Sequence, residues 1–120
     1  PILGHITTFG GHPVSCAASL ATVGIIHDEI DHSETIRKGE LFKKLLVHPE
    51  IKEVRGTGLM MAAELSDFDF LKKVIDQTIA NGVITDWFLY CDNAMRIAPP
   101  VIITDEQIHE ACAVILEALG

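Results

Sequence analysis

The sequence holds no C-x-x-C pair and no H-E-x-x-H, and its six histidines and three cysteines are scattered along the chain. A protein zinc site draws its thiolate and imidazole ligands from short, recurring spacings, so no metal is expected. Cys16, Cys91 and Cys112 are odd in number and far apart, which excludes a disulfide framework and suits a reducing cytoplasm. Basic residues are scarce: nine Lys and Arg stand against 17 Asp and Glu, for a formal charge of −8. Without a basic stripe the main attraction for nucleic acid is missing, and an anionic membrane surface is excluded on the same ground. The most apolar run, 14–26, is too short to cross a bilayer and carries Ser15, Ser19 and Thr22. No signal peptide, repeat or low-complexity tract is read.

What is abundant is apolar surface. Hydrophobic residues make up 48% of the 120 residues, and mean hydropathy is +0.31. That length builds one small domain with a real core. The excess over an ordinary small domain suggests that something outside this chain covers part of its surface. The segment 13–27 concentrates the excess. It is a predicted helix whose sides are nearly all Ala, Ser, Cys or aliphatic, and a helix apolar all round is a buried one. An ordinary central core helix is the plainer reading of the same pattern. Cys16 in this helix and Cys112 in the last are expected to be small buried hydrophobes.

The segment feeding that helix is Thr7-Thr8-Phe9-Gly10-Gly11-His12-Pro13. Glycines let backbone approach a ligand closely, and proline suits the first helical position. A helix start offers unpaired N–H groups and a positive dipole end to an anion, and the threonine hydroxyls add donors for a phosphate. The same residues also describe an ordinary loop entering a helix.

Downstream, 31–34 is a capping-box pattern opening a helix to about residue 47, with Ile36, Leu41, Phe42, Leu45 and Leu46 on its buried side and Arg37, Lys38, Lys43 and Lys44 on a solvated one. Strands are expected at 51–55 and 59–65, split by Gly56-Thr57-Gly58; the unbroken apolar run 59–63 predicts a strand covered on both faces. A third helix follows an Asp67 or Asp69 cap and ends at Asn81-Gly82. A short strand at 83–85, an alternating run at 87–91 and a turn at Asp92-Asn93 come next. The aromatics of 87–90 read as core, with the mouth of a site as the other reading. Arg55 reads as half of a structural ion pair, with a ligand contact as the other reading. Arg96 lies in a strand between Ala94 and Ala98 on its own face, which leaves room beside it. Its guanidinium matches a carboxylate ligand or pairs with Glu64, Asp86 or Asp92. Thr104 and Gln107 form a second capping box before a last helix that buries Ile108, Cys112, Ile115, Leu116 and Leu119.

Three of these segments, in order, resemble class III pyridoxal-phosphate aminotransferases, the group of the ornithine, acetylornithine and 4-aminobutyrate enzymes. They are Thr7-Thr8-Phe9-Gly10-Gly11-His12-Pro13, where the family usually has Asn in place of His12; Val54-Arg55-Gly56-Thr57-Gly58-Leu59; and Arg96-Ile97-Ala98-Pro99-Pro100. The resemblance implies the C-terminal portion of such an enzyme, an α+β fold in which 1–30 is the cofactor-phosphate loop and linking helix and 31–120 is the small domain of a fold-type I transferase. It implies pyridoxal 5′-phosphate as cofactor, with Thr8 and secondarily Thr7 donating to its phosphate, and Arg96 holding the carboxylate of an amino acid or 2-oxo acid. It further implies a homodimer in which the threonine loop reaches the neighbouring subunit's cofactor. The lysine that carries the cofactor belongs upstream of this loop, so the chain alone is expected to be inert. The competing expectation is a stand-alone α+β module that binds an amino or keto acid without chemistry.

Overall fold

The computed structural model describes residues 8–120, and the expected phosphate contact Thr7 lies outside them. The chain divides into two compact units, Pro1–Asp31 and His32–Gly120.

In the first unit, a turn over residues 8–11 leads into α1 (Pro13–Asp28). Gly11 sits at φ 78°, in the left-handed region that favours glycine. Pro13 occupies the opening of the helix, and His12 precedes it with no side-chain cap. No residue of α1 is buried; Val14, Leu20 and Val23 are all largely exposed. Cys16 is exposed too, against expectation. With apolar residues on every side, the helix has no single face to bury within its own unit.

The second unit holds α2 (His32–Leu45), β1 (Glu53–Thr57), β2 (Met60–Glu64), α3 (Phe68–Ala80), β3 (Asp86–Phe88), β4 (Cys91–Ile97) and α4 (Asp105–Leu119). The strands form one antiparallel sheet in the order β1-β2-β4-β3. One face is the core: Met61, Ala63, Met95 and Ile97 pack with Phe42, Leu71, Ile108 and Ile115 from the helices. The α+β class is therefore as expected, with the sheet covered by α2, α3 and α4.

Helix α2 meets the β1–β2 hairpin at Thr35 and Gly39. Gly39 and Gly58 touch backbone to backbone: a Cβ on Gly39 would collide with the Gly58 carbonyl, and one on Gly58 would come within 3.1 Å of the Thr35 methyl. This contact line explains why Ile36, expected inside, is 56% exposed: Thr35, one position earlier, faces the hairpin. Gly56 (φ 143°) and Gly58 (φ 55°) both need glycine. A Cβ on Gly56 would overlap the Met60 carbonyl. The pairing Thr57↔Met60 leaves Gly58-Leu59 as a two-residue turn opened by a positive-φ glycine. β1 therefore both starts and ends two residues later than the expected 51–55.

Several expectations fail between 59 and 93. β2 is covered on one face only: Met61 and Ala63 are buried, while Met60 is exposed. The run 83–85 is no strand, and the turn lies at Leu89-Tyr90 rather than Asp92-Asn93. Asn93 is held inside β4 because its Nδ2 donates to the Leu65 carbonyl (3.1 Å) and to Glu64 (3.3 Å). Side-chain pairing to a neighbouring strand there outweighs local turn preference.

Caps were more legible. The Phe70 amide donates to Asp67 (2.9 Å), and the Thr104–Gln107 box is complete, at 3.2 and 3.0 Å. Arg37, placed on a solvated face by the sequence, ties α2 to α4: it donates through both terminal nitrogens to Asp105 and through Nε to Glu34. Cys112 is buried as expected, which pushes its thiol up to about 12. No described helix is long and apolar enough to cross a membrane.

Candidate functional site

Period-two alternation puts Val54, Met61, Ala63 and Met95 into the core and turns their neighbours to the opposite face. Cross-strand pairing then lines up one row on that face, Arg55, Ala62, Arg96 and Asp86, one residue from each strand. Beside the row is a groove of about 500 Å³ lined by Arg55, Met60, Ala62, Arg96 and the β3–β4 turn residues 88–91. The small side chain of Ala62 separates the two arginines.

The arginines differ in what they already hold. Arg55 donates to Glu64 at 2.5 Å, reaches Glu53 at 3.3 Å, and brings its other terminal nitrogen to Cys91 Sγ at 3.5 Å. The Glu64 contact raises the Arg55 pKa, and the Arg55 guanidinium, with help from Asn93, holds the Glu64 carboxyl below the usual carboxylate range. Arg55 is thus the structural ion pair that the sequence favoured. Arg96 has one long contact among the described residues, 3.4 Å from Nη2 to Asp86 Oδ2. Of the three acids that the sequence offered as partners, the structure selects Asp86. A guanidinium has five N–H donors, so most of those on Arg96 have no partner among the described residues, and the residue lines the groove. Thr85 fixes the backbone beside it by donating to the Arg96 carbonyl at 2.7 Å. The core side of this strand end borders an apolar cavity of about 260 Å³ among Phe42, Ile97, Ile103 and Ile115.

The aromatics of 87–90 divide. Trp87 packs edge-on against Phe68, with centroids 5.4 Å apart, and joins the core. Phe88, Leu89 and Tyr90 line the groove, Leu89 and Tyr90 almost fully exposed. Their alternation resembled a strand, and only the turn at Leu89-Tyr90 brings them to the groove's rim. Asp86 was named in the sequence only as a possible partner for Arg96; no local pattern marks it as its cross-strand neighbour.

Thr8 is exposed in the turn before α1. The Cys16 amide donates to the His12 carbonyl (2.9 Å), so α-helical bonding starts at once. The first-turn amides have no intrahelical acceptor and no side-chain cap from His12. This leaves the helix start able to accept a phosphate oxygen.

Residues 1–119 match the sequence profile of the class-III aminotransferases. The chain belongs to that family. It is 36% identical to acetylornithine aminotransferase from Corynebacterium efficiens over 97% of this chain and 28% of that protein. It is 37% identical to ornithine aminotransferase 2 from Staphylococcus aureus, over 89% of this chain and 27% of that protein. Among solved structures, an aminotransferase from Bacillus anthracis superposes with a TM-score of 0.81 at 28% identity, covering 97% of this chain and 30% of that one. Ornithine aminotransferase from Toxoplasma gondii superposes at 0.77 and 32% identity, covering 96% and 28%; that structure reports partial occupancy of pyridoxal phosphate at its active site. The class III family is pyridoxal-phosphate-dependent. The chain therefore spans less than a third of the relatives it matches. None of its six lysines is buried, so none has the desolvated setting that makes a lysine amine a nucleophile at neutral pH.

Proposed function

We propose that this chain supplies two parts of a pyridoxal-phosphate aminotransferase: the anchor for a substrate carboxylate and a contact to the cofactor's phosphate. The complete protein moves an amino group between an amino acid or ω-amino acid and a 2-oxo acid. One observation carries the reading: of the two arginines in the row, Arg55 is consumed by Glu64 and Arg96 faces a groove with most of its donors open. Arg96 binds and orients the carboxylate, bidentate geometry being what a guanidinium offers. Met60, Ala62 and Phe88 give that end of the substrate an apolar wall.

The residues before α1 fit the cofactor's phosphate. They supply an exposed hydroxyl on Thr8, an uncapped helix start and a left-handed glycine. Thr8 would donate to the phosphate, with Thr7 as a second donor. When bound, the cofactor supplies the electron sink that lets an amino group leave one carbon and join another. His12 offers no cap, so the first-turn amides stay available to the anion. The enzyme is a cytoplasmic homodimer in this reading, with the threonine loop serving the neighbouring subunit's cofactor. The apolar, uncovered α1 and the absence of a buried lysine both accord with a site completed by other parts of the protein.

The test follows amino transfer in the complete protein by mass spectrometry of the products, with isotopically labelled amino donors and 2-oxo acids. Label is expected to appear on the 2-oxo acid carbon skeleton. Arg96→Met is expected to lower kcat/KM for carboxylate donors about 10- to 100-fold, the worth of a charge-assisted pair. Thr8→Val is expected to weaken retention of the cofactor on dialysis. Binding of amino acids without any exchange of label would contradict the reading.

A further inference from the structure

Asn81-Gly82 ends α3, and the proposed function makes no use of it. Glycine has no side chain to shield its nitrogen, so that nitrogen can attack the side chain of an asparagine before it. The chain's other asparagine, Asn93, precedes Ala94 inside β4 and is held there by Glu64 and Leu65. In the native turn the attack at Asn81 is blocked. The Gly82 amide donates to the Ile79 carbonyl at 3.0 Å, the Asn81 amide to that of Gln77 at 3.0 Å and the Val83 amide to that of Thr78 at 3.0 Å. Asn81 sits at φ −95°, ψ 15°. That ψ turns the Gly82 nitrogen away from the Asn81 Cβ, whereas closing a five-membered ring needs both on one side of the Cα–C bond.

The same turn is weakly held. Thr78 is fully buried, yet its hydroxyl has no hydrogen-bond partner among the described residues, so the closed turn bears the desolvation cost of a polar group. No basic residue in the last turn offsets the negative end of the helix dipole. Residues 79–82 are all exposed. Stretches of this kind open locally at far less cost than global unfolding.

We propose that Asn81 is a deamidation site gated by opening of the last turn of α3. Once the turn opens, the Gly82 nitrogen gives up its proton to solvent and bonds to the Asn81 side-chain carbonyl carbon. The side-chain nitrogen takes a proton back and leaves as ammonia, and a succinimide ring remains. Water then opens the ring at either carbonyl, giving aspartate or isoaspartate at residue 81. Water enters and ammonia departs, with no change of oxidation state. Either product puts a carboxylate at the negative end of α3. The isoaspartyl form also adds a backbone atom between residues 81 and 82, so the Gly82–Ile79 bond cannot return. The site therefore keeps a one-way record of how often this turn has opened.

The experiment incubates the complete protein at neutral pH in water enriched in heavy oxygen and follows residue 81 by peptide mapping, since each conversion fixes one oxygen atom from water. Label is expected to enter residue 81 of the native protein at least about tenfold more slowly than in urea-unfolded protein, as a mostly closed turn requires. Gln77→Gly, an exposed change that weakens the helix next to the turn, is expected to raise the native rate about fivefold. Urea below the unfolding transition is expected to act in the same direction without a substitution. Asn81→Gln is expected to stop the labelling, because its ring would need a sixth atom. Fragment spectra are expected to show both aspartate and isoaspartate. Equal rates in native and unfolded protein, or a native rate that neither Gln77→Gly nor urea raises, would overturn the gate. Labelling of unfolded protein no faster at Asn81 than at Asn93 would overturn the site, and aspartate alone as product would overturn the ring closure.

Discussion

The two faces of the sheet are made from alternate residues of the same strands, yet they do different work. The inner face, with Met61, Ala63, Met95 and Ile97, is closed by three helices. The outer face carries Arg55, Met60, Ala62 and Arg96 and stays partly open. Within the outer face the contrast repeats on a smaller scale. Arg55 is held by an acid at 2.5 Å and Arg96 by one at 3.4 Å, so one guanidinium stabilises the sheet and the other is available. Residue type does not separate these roles. The geometry of the neighbouring acid does.

If this division is right, substitutions on the inner face act on folding and those on the outer face act on ligands. The largest effect is expected at the centre of the core. Ile108→Ala, fully buried in the native protein, should cost about 2–5 kcal/mol in chemical denaturation. Gly39→Ala comes next. Its Cβ meets the Gly58 carbonyl, so helix and hairpin must separate, at about 1–3 kcal/mol for overpacking. Thr104→Ala removes the hydroxyl half of the α4 capping box and should cost about 1 kcal/mol. Arg96→Met should change stability by no more than about 0.5 kcal/mol, as expected for an exposed side chain with one long ion contact. A large loss of stability there would erase the distinction between the faces.

The smallest effect is a pH dependence. Arg55 lowers the Glu64 pKa and Arg37 lowers that of Asp105. A carboxylate whose folded pKa lies below its unfolded value stabilises the fold above the unfolded value. That contribution is lost as pH falls through the folded one. Thermal melts of Glu64→Gln should therefore converge with those of the parent protein at acid pH and separate from them near neutrality.

Much of this division could be read from the residues. The glycines of 54–59 announced a tight turn or bulge, and the structure gives each a steric reason. The Thr104–Gln107 box and the Asp67 cap were visible because capping depends on neighbours three residues apart. Arg96 stood out because alanines flank it on its own face. The remainder depended on long-range pairing. Asp86 became the partner of Arg96 through strand register. Ile36 was misplaced by a single helical position, because a glycine-to-glycine contact set the packing line. The run 59–63 looked buried on both sides, since Met60 and Ala62 line a groove and are apolar without being core. Cys16 looked buried because composition marks a helix as apolar without saying whether its own unit covers it.

The central claim is that Arg96, and not Arg55, receives the substrate's carboxylate. The most direct measurement is a crystal structure of the complete protein with a non-reacting carboxylate analogue bound. The account predicts the carboxylate on the Arg96 guanidinium, with the Arg55–Glu64 pair undisturbed. A carboxylate seated on Arg55 with Glu64 displaced, or one that touches neither arginine, would contradict it.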